Sequence, residues 1–179
     1  MLRRIPLALV LMALAVPLHA QRSDTALSEG EIEQLREAAY VPNDRVLIFI
    51  KLLDARDKAI LDLFARPRKP GREEDTHDLF DQFTDIADEL NDNLDDYGPR
   101  HYDIRKALPK LVDATERWSS NLKQPPENPA YDLSRKLALE AVRDIREEAL
   151  ELIESQKAWF LAHPPPKDDP NKPGPEIPR

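Results

Sequence analysis

The chain contains no cysteine. That absence excludes disulfides, thiolate nucleophiles and thioether attachment of haem, and it leaves packing as the source of stability. Glycine is almost as scarce: Gly30, Gly71, Gly98 and Gly174 are the only ones. Without a glycine-rich stretch there is no phosphate-cradling loop, and no glycine elbow surrounds any serine. After the N-terminal segment, the histidines are His77, His101 and His163, and none falls in a zinc-binding spacing. No apolar run after residue 18 approaches the ~20 residues of a membrane span.

What is present begins with Met1-Leu2-Arg3-Arg4, an apolar run from Ile5 to Leu18, and a small residue at Ala20. A basic start, a short apolar core and a small terminal residue predict a cleaved secretory signal over residues 1–20. The run is too short for a membrane anchor, and no cysteine follows it to carry a lipid. Residues 21–27 are expected to be a flexible N-terminal segment. The formal net charge of −8 becomes more acidic once Arg3 and Arg4 are removed. Such a chain repels nucleic acid and anionic surfaces except where basic residues cluster.

Proline is abundant but segregated into joints, at Pro42, Pro67–Pro70, Pro99, Pro125–Pro129 and a tail from Pro164. Between the joints, apolar residues recur every three or four positions. The pattern predicts helices over Ser28–Tyr40, Asn43–Ala65, Asp75–Tyr97, Asp103–Leu122 and Pro129–Ala162. Ser28-Glu29-Gly30-Glu31 has the form of a capping box for the first. Val46 to Ile50 alone could be a buried strand, but the continuation through Leu53, Ile60 and Phe64 favours a helix. In the fourth helix, Pro109 predicts a kink unless the helix begins there. The fold class expected is all-α: an up-down-up-down four-helix bundle over residues 28–163 with a short additional N-terminal helix. The proline-rich tail, 164–179, is expected to be extended and disordered. The overhanging end of the fifth helix, with Leu152, Trp159 and Phe160, is expected to pack against the first helix.

Four constellations could carry chemistry or recognition. The third helix has an acidic stripe, Asp78, Asp81, Asp85, Asp88, Asp92 and Asp95, opposite its apolar face. The basic segment containing Arg66, Arg68, Lys69 and Arg72 is the nearest source of compensating charge. Asp57 falls inside the apolar stripe of the second helix, where a carboxylate must be paired or protonated. Thr84 and Thr115 are expected at its level. The turn Tyr97–Asp103 concentrates aromatic and charged side chains at one bundle end, with Asp103 expected to cap the fourth helix. For metal, the weak candidates are Asp57, His77, Asp81 and Asp85. The segment from Asn91 to Gly98 fails as a calcium loop because its twelfth position is Ile104, not glutamate.

No combination specifies a reaction or a cofactor, so the expectation is a non-enzymatic exported protein, periplasmic or extracellular. It would meet an unidentified protein partner in the bacterial envelope, with no nucleic acid and no transmembrane span. A metal- or small-ligand-binding module and a holdase-type chaperone are the alternatives.

Overall fold

The computed structural model describes residues 26–164. The expected signal, most of the N-terminal segment and nearly all of the proline-rich tail lie outside the described residues. Within them the chain is helical: α1 (Glu29–Glu37) with a 3₁₀ turn (Ala38–Tyr40), α2 (Pro42–Ala65), α3 (Arg72–Tyr97), α4 (Leu108–Asn121) and α5 (Asp132–Ala162). The capping box forms as the sequence implies: Glu31 N–H donates to the Ser28 hydroxyl while the Ser28 N–H donates to the Glu31 carboxylate. α3 reaches back to Arg72, three residues before the expected start, because Gly71 adopts a left-handed conformation (φ 85°) that glycine alone takes without cost.

Helix order in space differs from helix order in sequence. α3 packs most extensively on α5 and next on α2; α4 packs on α5 and, less extensively, on α2. Among the described residues α3 and α4 do not pack on each other, although they are consecutive. Arg45 lies near Glu89 and Arg56 bonds Gln82, so α2 and α3 are antiparallel. Asn43 bonds Ala107, Asp54 bonds Trp118 and Asp57 bonds Asn121, each pair 64 residues apart. A constant offset means that α2 and α4 run parallel. α3 and α5 also run parallel, Phe80 meeting Tyr131 at one end and Gly98 meeting Leu152 at the other.

The segment 98–107 therefore crosses the end of the bundle diagonally, and it serves as a plug. Ile104 and Ala107 are fully buried. Gln156 of α5, itself buried, accepts from Ile104 N–H (3.3 Å) and donates to the Tyr102 carbonyl (2.8 Å). His101, in the left-handed region at φ 55°, stacks its ring on Trp159, and Arg105 lies over Phe160. This plug, rather than α1, covers the overhang of α5, which corrects the expected docking of the first helix. α1 instead lies on α2. Helix four also begins later than expected, at Leu108, with Pro109 in its first turn. Proline is tolerated there and not further in. Asp103 does not cap it: its carboxylate holds Arg105, and the Ala107 N–H at the helix start is satisfied by Asn43 of α2.

The core runs the length of the bundle, through Phe49, Leu53, Phe80, Phe83, Leu90, Leu111, Trp118 and Ile145. On α3, Phe80 is fully buried while Leu79 is only partly so. Ala26 and Leu27, assigned from the sequence to the flexible segment, pack against this core.

Candidate functional site: the acidic face and the polar seam

A 26-residue helix with aspartate on every third or fourth position displays those side chains as one line. Asp81, Asp85, Asp88, Asp92 and Asp95 are all exposed and Asp78 is partly so. Because α5 runs parallel beside α3, its acids extend the line sideways. Burial, Asp85, Asp92 and then Asp144 of α5 push the Asp88 carboxyl above its ordinary value. Burial, followed by Asp95 and Glu151, does the same to Glu148. Among the described residues no ion pair reaches Asp85, Asp88, Asp92 or Asp95. The result is a two-helix acidic face whose members repel one another.

The basic segment expected to offset this face has other partners. Arg66 lies 3.9 Å from Asp62, and Arg68 (3.1 Å) and Arg72 (3.3 Å) meet Glu73. The Arg68 guanidinium holds the Glu73 carboxyl below the usual range. Arg72 also lies over the Phe64 ring, 4.7 Å from its centre. These residues order the α2–α3 turn. At the near end of the stripe, His77 Nδ1 is 3.2 Å from Asp81 and 3.7 Å from Asp78.

Asp57 lies where the sequence places it, in the buried stripe of α2, 6% exposed. One carboxylate oxygen accepts from Asn121 Nδ2 at 2.7 Å; the other is buried without a partner. Asn121 in turn accepts from Gln124, at 3.1 Å. One turn earlier, Asp54 accepts from Trp118 Nε1 (2.7 Å) and Arg117 (3.1 Å). Burial raises the Asp57 carboxyl, the Asn121 hydrogen bond opposes the rise, and Asp54 adds to it. Thr84 and Thr115, expected at this level, bond backwards to the carbonyls of Phe80 and Val112. Asn121 was the partner missed. The alternating directions of the helices already make α2 and α4 parallel, but sequence order carries no signal that these two pack side by side.

No protein family, curated protein or solved structure matches this chain.

The chemistry therefore has to be read from the chain's own residues. Among the described residues no three histidine, aspartate or glutamate side chains converge as a metal site requires. His77 and Asp81 are brought together, with Asp85 one turn on, whereas Asp57 sits on a different helix. The hydroxyl of Ser155 donates to the Leu152 carbonyl, and that of Ser119 accepts from Lys123. What the arrangement provides is a two-helix surface of carboxylates, in which Asp144 is paired with Arg143 (2.9 Å) while Asp85, Asp88, Asp92 and Asp95 have no ion pair among the described residues, and a buried polar seam that fixes α2 against α4.

Proposed function

We propose that this is a non-enzymatic protein of the bacterial envelope, exported by its N-terminal segment, that docks a lysine- or arginine-rich segment of a partner protein on the α3–α5 acidic face. One observation carries the reading: Asp85, Asp88, Asp92 and Asp95 of α3 have no basic partner among the described residues, and Asp144 and Glu148 of α5 crowd Asp88 and Asp95 further. A basic partner relieves that repulsion, so part of the binding free energy is already stored in the free protein. The holdase alternative is less well supported. It calls for a continuous apolar surface, and the most exposed large apolar residues are scattered: Tyr40 in the 3₁₀ turn after α1, and Leu133 and Leu161 at opposite ends of the 31-residue α5.

The test uses tagged protein exposed to envelope extract. A partner should be retained at low salt and lost as ionic strength passes about 0.15 M, where the screening length is ~8 Å. The variant Asp88→Asn/Asp92→Asn/Asp95→Asn should keep its helicity and lose the partner. Equal capture by that variant refutes the acidic-face reading. Export has its own check: residues 1–25 fused to a reporter should carry it out of a bacterial cytoplasm, and retention inside defeats that part of the proposal.

A further inference from the structure

The plug is seated on α5 by a group of rings that neither the acidic face nor the polar seam uses. The His101 ring, on the plug, stacks on the Trp159 indole at 4.3 Å and 17°. The His163 ring, one turn further along α5, stacks on the same indole at 4.5 Å and 20°. Beside them Phe160 meets Trp159 edge-on and lies under Arg105. His101 holds its place against backbone strain. Its φ of 55° is a value that glycine adopts freely and few other residues do, so the ring contact has to offset the strain. At the other ring, His163 Nδ1 lies 3.0 Å from the Trp159 carbonyl oxygen. A carbonyl only accepts, so this nitrogen carries a proton in both charge states. The His101 ring makes no hydrogen bond among the described residues. A second proton on either imidazole therefore breaks no existing bond.

We propose that His101, Trp159 and His163 form a latch that acid tightens: as pH rises the plug loosens from α5 while the bundle stays closed. Histidine is the side chain that ordinarily changes charge between pH 5 and 8. A neutral imidazole stacks on an indole by contact alone, whereas an imidazolium is also drawn to the electron-rich face of the ring. His163 gains further, because it ends a 31-residue helix, where positive charge is favoured. The other charged groups around the rings are of kinds that do not ordinarily titrate in this range. On the plug and α3 they are Arg100 with Asp96 (2.9 Å), and Arg105 and Lys106 with Asp103. On α5 they are Glu154 and Lys157, and α2 reaches the plug through the uncharged Asn43. Cations and carboxylates nearly balance, so they do not set the sign. Repulsion between the two imidazoliums opposes the latch, but both side chains are exposed and water and salt screen it, while each ring contact is direct.

The test is hydrogen exchange of the full-length protein at pH 5 and pH 8. The Ile104 N–H, bonded to Gln156 across the seat, reports the plug, and the Leu90 N–H in the core of α3 reports the bundle. After correction for intrinsic exchange, the protection of Ile104 relative to Leu90 should be about fivefold greater at pH 5 than at pH 8. His101→Asn keeps a residue suited to left-handed backbone and removes the ring. His163→Phe keeps a ring and removes the charge. Each should abolish part of the difference, and the two together all of it. Circular dichroism checks the fold of each variant, and His163→Phe, at the helix end, carries the test alone if His101→Asn unseats the plug. A ratio that is flat, or that falls in acid, overturns the latch. So does the full difference persisting in the double variant, or in His163→Phe where that variant stands alone.

Discussion

A buried carboxylate bonded through only one oxygen weakens the helix stripe that carries it. Asp57 occupies a position where leucine or isoleucine would add about 1.5–3 kcal/mol of burial. Asn121 satisfies one of its oxygens and nothing satisfies the other. The protonated form is the better tenant, and burial raises the carboxyl accordingly. For an acid whose folded value is raised, the stabilising contribution is complete below the ordinary value of 3.8 and is lost as pH climbs through the higher folded value. Asp57→Asn, which keeps the hydrogen bond to Asn121 and removes the charge, should therefore raise stability at pH 7 by about 1–2 kcal/mol. Denaturant unfolding at pH 4 and pH 7 checks it: the gain should be larger at pH 7. A loss of stability at both would mean that the charged form is used by the Asp54–Arg117–Trp118 cluster above it.

At the scale of the element, α1 shows the opposite electrostatics. Nine residues cannot hold a helix in water by propensity alone. α1 is kept by its capping box, by Leu35, and by Glu31 gripping Arg56. The Arg56 hydrogen bonds, with those from Ser28, hold the Glu31 carboxyl down to about 2. Here the contribution is complete above the ordinary 4.5 and fades as pH falls towards 2. Arg56→Met should release α1 with a cost of about 1–3 kcal/mol, and hydrogen exchange should show residues 29–37 opening before the rest of the bundle. Uniform exchange across all five helices would contradict it. This pair also marks a limit of the sequence. The capping box was legible because its parts lie three residues apart, whereas Arg56 and Glu31 lie 25 apart and nothing local joins them. The same rule separates the other expectations. Helix spans, the exposed acidic line and the buried Asp57 follow from periods of three to four residues. Asn121 as its partner, Asn43 capping α4, the plug under Trp159 and the place of α1 depend on the diagonal crossing of segment 98–107, for which loop length carried no signal.

At the scale of the molecule, that crossing sets where the charge lies. Antiparallel neighbours would have placed α4 beside α3, bringing Lys110 and Arg117 towards the aspartates. The observed order puts the parallel α5 there instead and adds Glu148 and Asp144, the latter paired with Arg143 of its own helix. The compact state of a chain with a formal net charge of −8 thus concentrates repulsion on one face. Salt should stabilise it: Tm should rise as sodium chloride is added from low ionic strength to about 0.15 M, since exposed charges more than ~8 Å apart are then screened. The double variant Asp88→Asn/Glu148→Gln should start from a higher Tm and respond less to salt, and this comparison isolates the face from the rest of the surface. The pH dependence of the face follows the same sign as that of Asp57. Both carboxyls are raised, so their contribution is complete in acid and is lost as pH rises through their folded values. Glu31 acts in the other direction below 4.5. Stability should therefore pass through a maximum on the acid side of neutrality, and in the double variant the decline on the alkaline side of that maximum should flatten while the acid limb, governed by Glu31, stays in place.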